Sequence, residues 1–213
     1  MSRLDNYLIE VTPSPLKEVE KKLLKYKSKI VKAHKTSRDV EEFTNKLSRI
    51  FASEKIIFFP LTEHISDAHG DYIARAKVWP RTGDIHVWVK CSDDPLTITL
   101  GVLDPNLDIN RFLEELLTTL SHEFIHKAQF EKSKVPPQER EFGSIGEYLA
   151  YHYETEAWAH TVYLDLKQGI TETLSDILFA IRGNKKLFQR FMKKLYLYAK
   201  GDKDVLDMIK RVK

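Results

Sequence analysis

Residues 111–131 read RFLEELLTTLSHEFIHKAQFE, a run with neither glycine nor proline. Preceded by Asp104-Pro105-Asn106 and by Asp108 or Asn110 as a capping residue, this run predicts one long helix. At its centre stands His122-Glu123-Phe124-Ile125-His126. Four residues turn a helix by about 400°, so the two imidazoles leave from one side, one turn apart, and can both ligate a tetrahedral ion. At about 100° per residue, Leu113, Leu117, Leu120, Phe124 and Ala128 gather opposite the histidines, while Glu115, Thr119 and Gln129 lie near them. The expected helix has an apolar side for the core and a polar, wet side compatible with a metal.

A catalytic zinc usually takes three protein ligands and leaves the fourth position to water. The third ligand must therefore come from elsewhere in the chain. The metzincin continuation is excluded, because it needs a glycine at position 129 and a histidine at 132, where this chain has Gln129 and Lys132. After Pro136-Pro137 and a loop over 138–144, a second helix is expected, with Gly143 and Gly146 near its start and Gly169 just past its end. It carries Tyr153-Glu154-Thr155-Glu156-Ala157-Trp158-Ala159. Glu154 and Glu156 flank the apolar stripe of Leu149, Tyr153, Ala157 and Leu164 at similar angles, so the helical wheel leaves both open as ligands.

His122-Glu123-x-x-His126 followed about thirty residues later by Glu-x-Glu-Ala-x-Ala resembles the gluzincin branch of the zincin metallopeptidases, especially its small intracellular and viral or phage-type members. The match spans roughly residues 111–168, and its first half is far more specific than its second. The resemblance implies one zinc ion per chain on His122, His126 and Glu154, the Glu three residues before the Ala. Glu156 takes that place if the segment is laid instead over a Glu-Gly-Phe-Ala pattern. Alanines 157 and 159 would let the second helix approach the first closely. Families with an Asp four residues after the ligand use it to steady the first histidine; Trp158 and His160 stand there instead, which leaves that support unassigned.

These parts imply a metalloendopeptidase. Zinc brings the pKa of its water toward ~7, Glu123 acts as general base on that water, and the proton then passes to the leaving amine. Tyr151, His152, Tyr153 and His160 are candidates for stabilising the oxyanion, and Tyr151, one turn before the ligand face, is taken as the catalytic partner. A peptide or protein is the expected substrate, added as an extended strand against residues 85–89.

Upstream, Pro15 suits a first helical turn, and Leu16, Val19, Leu23, Leu24, Ile30 and Val31 recur at helical spacing. Thr36 with Asp39, or Ser37, can cap a second helix through Val40, Phe43, Leu47, Ile50 and Phe51. Residues 55–60, 72–79, 85–89 and 96–103 read as strands, with a turn over Pro80 to Asp84. The fold class expected is α+β, zincin-like, with a small antiparallel sheet. One domain is expected over 1–213: N-terminal helices to 54, sheet over 55–104, metal-site helices over 108–168 and a helical cap over 170–213.

Thirty-four basic and 31 acidic residues leave a net charge of only +3, so nucleic acid is not announced as a partner. The single cysteine, Cys91, builds neither an intrachain disulfide nor a thiolate zinc site and points to a reducing interior. With no apolar run long enough to span a bilayer and no export signal at the N-terminus, a cytoplasmic protein away from membranes is expected. Two other functions share these features: a zinc-binding regulator on a zincin fold without turnover, and a protease similar to the SprT-like group that acts on DNA-bound proteins. Intact Glu123 argues against the first. The absence of trailing zinc-ribbon cysteines and of a strong basic patch argues against the second.

Overall fold

The computed structural model describes residues 14–61, 74–79, 82–89, 103, 108–132 and 144–212. Two compact units are recognisable, one formed by Leu16–Glu123 and the other including Phe124–Lys213. The division falls inside one continuous helix.

The first unit holds α1 (Ser14–Thr36), α2 (Val40–Ile50), a short 3-10 turn (Ala52–Glu54), β1 (Ile56–Pro60), β2 (Ala74–Val78), β3 (Ile85–Val89) and α3 (Ile109–Lys132) as far as Glu123. Of the capping residues expected, Asp39 serves α2: its carboxylate accepts the Glu42 N–H at 2.7 Å. Glu42 in turn accepts the Arg38 N–H at 3.0 Å; that bond first, then Lys46 and the Arg38 side chain, holds the Glu42 carboxyl down at about 2. Thr36 and Ser37 instead close α1, donating to the carbonyls of Lys32 and Ala33. The apolar spacing of α2 buries Phe43 and Leu47 completely. Phe43 lies 5.7 Å from Phe112 of α3, and Phe51 meets Tyr26 at 5.0 Å and Phe58 at 5.3 Å, ring centre to ring centre.

The sheet runs in the order β1-β3-β2. β2 and β3 are antiparallel across a turn in which Gly83 takes φ 70, whereas β1 runs parallel to β3, Ile56 opposite Ile85. The sheet is therefore mixed, which corrects the antiparallel expectation. Alternating side chains identify a strand but not the direction of its partner, and only the β2–β3 link is a tight hairpin. The class is α+β, as expected. A strand over 96–103 lies outside the described residues, apart from Leu103, which is buried.

β3 buries Ile85, Val87 and Val89 and turns His86 and Trp88 outward, as the alternation predicts. It is flanked on both sides, so it cannot accept a peptide as a further strand. Among the described residues the sheet has two edges, β1, where the Phe58 N–H already donates to Ser48 Oγ at 2.8 Å, and β2. At the β2 edge Trp79 donates to Asp84 toward β3, which points the N–H of the preceding Val78 away from the sheet.

The second unit continues α3 from Phe124 and adds α4 (Ile145–Ala150), α5 (His152–Lys167), α6 (Glu172–Ile181), α7 (Lys185–Tyr198) and α8 (Lys203–Val212). The single helix expected after residue 144 is broken at Tyr151, whose φ −63 and ψ 125 are extended. Thr155 Oγ1 donates to the Leu149 carbonyl at 2.7 Å and Arg190 Nη2 to that of Ala150 at 2.8 Å. Side chains thus satisfy the carbonyls that end α4, and the break leaves them paired. α5 ends as its glycine predicts: Gly169 has φ 82, with Ile170 N–H bonded to Asp165 O and Gly169 N–H to Leu166 O in a Schellman closure. Leu174, Ile177, Ile181, Phe191, Leu195, Val205 and Ile209 share one core with Leu149, Ala159 and Val162, so the C-terminal segment is helical at the spacing its sequence implies. Among the described residues, no helix is long and apolar enough to cross a membrane.

Candidate metal centre

Continuity of α3 fixes His122 and His126 one turn apart on one face. The break at Tyr151 sets Glu154 in the first turn of α5, where a carboxylate is favoured by the helix dipole. These three side chains come together: one ligand atom from each of His122, His126 and Glu154 lies within 4.8 Å of the others.

One edge of this group, His126 Nε2 to Glu154 Oε2, is 3.3 Å long. Two ligands bound tetrahedrally at zinc distances of about 2.0–2.1 Å stand ~3.3 Å apart, so the observed edge matches that of a coordination tetrahedron. Two imidazoles and one carboxylate are also a donor set suited to zinc. The residues fit a metal ion.

Of the two glutamates the helical wheel left open, Glu154 is the one grouped with the histidines. Glu156 is buried on another side of α5, accepting from Lys194 Nζ at 3.2 Å and from Gln129 Nε2 at 3.3 Å. Gln129 Nε2 also donates to the Tyr153 carbonyl at 3.3 Å, and Gln129 Oε1 lies 3.1 Å from His126 Nδ1. Burial drives the Tyr198 hydroxyl pKa far up, and the charge of nearby Glu156 adds to it, which keeps the phenol protonated.

The histidine side of α3 is partly buried, with Glu115, Thr119 and His122 half-buried. Glu123 is 8% exposed, His126 6% and Gln129 2%, whereas Leu113, Leu117, Phe124 and Ala128 are only half-buried. The fully buried apolar residues are Phe112, Leu116, Leu120 and Ile125. Of the apolar face expected, Leu120 is in the core, and Gln129 and His126 are buried too because polar groups that bond one another can occupy the interior. Glu123 is fixed within the first unit: its Oε2 accepts the outward N–H of Val78 at 2.8 Å.

Tyr151 caps α5 rather than riding on a continuous helix with Glu154. Its ring meets Tyr153 at 5.4 Å, Tyr153 meets Phe130 at 5.7 Å, and Phe130 stacks on His126 at 5.9 Å. His160 is buried toward the C-terminal helices, edge-on to Tyr198 at 4.9 Å. Ala159 belongs to the C-terminal core, so of the two alanines expected to ease the approach to α3 this one packs elsewhere. Gln129, Glu156 and Lys194 are the residues whose part at the site the motif did not show. Gln129 stands three positions after His126, one turn along the same face, and that spacing was its signal.

Fold and site together define an α+β protein with a two-histidine, one-glutamate group able to hold a metal ion. Comparison with protein-family models, with curated proteins and with solved structures finds no match.

Proposed function

We propose that the chain is a zinc-dependent metalloendopeptidase of zincin type, with one zinc per chain on His122, His126 and Glu154. The observation that carries this reading is the convergence of those three ligand atoms within 4.8 Å, on a helix whose next residue after His122 is a buried carboxylate. Bound zinc supplies a Lewis acid that acidifies water and polarises a carbonyl.

The chain's own groups do the rest. Glu123 takes a proton from the attacking water and delivers it to the leaving amine. Its bond to Val78 holds the carboxylate in one orientation, and burial limits competing water. Tyr151 is the proposed donor to the developing oxyanion. The outer edge of β2, where Ala76 presents its backbone groups on the same side as Val78, is the place for an extended peptide to pair.

The test is hydrolysis of a peptide mixture by zinc-loaded protein, followed by mass spectrometry. Cleavage is expected to stop on adding 1,10-phenanthroline and to return with added zinc. Cleavage indifferent to the chelator contradicts the reading. Stoichiometric zinc without any cleavage points instead to the non-catalytic regulator.

A further inference from the structure

A buried chain of polar groups lies behind His126. Gln129 Nε2 meets two oxygens, the Glu156 carboxylate and the Tyr153 carbonyl, both at 3.3 Å. An ionised carboxylate and a carbonyl only accept hydrogen bonds, so the nitrogen end of the Gln129 amide must point at them. Its oxygen end is then forced toward His126 Nδ1, 3.1 Å away. An amide oxygen accepts and does not donate, so Nδ1 carries the proton and Nε2 keeps its lone pair, aimed at the side where Glu154 lies at 3.3 Å.

The device is anchored far off in sequence. Lys194 of α7 reaches Glu156 Oε1 at 3.2 Å, with both side chains about nine-tenths buried. Its ammonium donates to that carboxylate, a charge-assisted hydrogen bond in which Glu156 is the acceptor.

We propose that Gln129, Glu156 and Lys194 are positioning residues that hold His126 in its Nδ1-protonated tautomer, so that the C-terminal helical segment sets the affinity of the metal centre. This rests on the zinc reading of His122, His126 and Glu154. Without the chain of bonds, the imidazole keeps its place on α3 but loses its fixed tautomer and ring orientation, and partners of this kind are worth roughly 10- to 100-fold in metal affinity.

The experiment measures the zinc dissociation constant by competition with a chromophoric chelator, together with the thermal midpoint of the metal-free protein. Three proteins are compared: wild type, Gln129→Leu, and the double variant Glu156→Gln with Lys194→Met. The double variant removes both buried charges at once, so neither remains unpaired, and its amide at 156 can donate as well as accept, which leaves the Tyr153 carbonyl as the one obligate acceptor holding the Gln129 nitrogen. Zinc binding roughly 10- to 100-fold weaker than wild type is expected in both variants, with the metal-free double variant melting near wild type. Affinities within twofold of wild type in Gln129→Leu and in the double variant overturn the proposal while leaving the zinc site standing. A wild-type protein that binds no zinc overturns the site itself, and this inference with it.

Discussion

Glu123→Gln is expected to lower peptide hydrolysis by roughly 10²–10⁴-fold, the range that a positioned general base contributes. An amide has the shape of the carboxylate but cannot take a proton from water at neutral pH. Its oxygen can still accept the Val78 N–H that Glu123 accepts at 2.8 Å, so the strand edge and the helix should keep their places. Glu123 is outside the ligand group, and zinc content should stay at the wild-type level. Initial rates on one peptide, with bound zinc measured on the same samples, separate the two effects. Activity within a few-fold of wild type would remove Glu123 from the chemistry; zinc lost along with activity would make it a ligand instead.

Lys194→Met is expected to be the most destabilising single change near the centre. Lys194 and Glu156 form an ion pair with side chains 6% and 7% exposed. Removing one partner of such a pair leaves a buried charge uncompensated and costs about 3–5 kcal/mol. For a chain of this size that corresponds to a fall in thermal midpoint on the order of 10 °C. Replacing both partners together should recover most of the loss, because no lone charge remains. Calorimetry of metal-free wild type, single and double variants checks this. A single variant melting within a degree or two of wild type would mean that Glu156 reaches water or another cation.

What the sequence disclosed and what it hid follow from range. The helix bearing His122 to His126 was legible because a run without Gly or Pro and an i, i+4 histidine pair are both local patterns. The C-terminal helical segment was legible for the same reason, its buried Leu174, Phe191, Leu195 and Ile209 recurring at helical spacing. The direction of β1 was not, because parallel pairing joins segments separated by about thirty residues and leaves no mark in either strand. The break at Tyr151 depended on Thr155 and on Arg190, forty residues away, taking up the carbonyls that a continuous helix would have used. Glu154 was separated from Glu156 only when Lys194 and Gln129 were seen to hold the latter. Lys194 did leave a trace: a lysine between Phe191 and Leu195 on an otherwise apolar stripe is a buried charge that needs a partner.

The most direct test of the metal centre is the zinc content of the purified protein by elemental analysis after exhaustive dialysis, in wild type and in Glu154→Gln. One zinc per chain is predicted for wild type, with loss of most of it once the carboxylate that lies 3.3 Å from His126 is replaced. A wild-type protein without zinc, or a Glu154→Gln variant that holds it undiminished, would contradict the account.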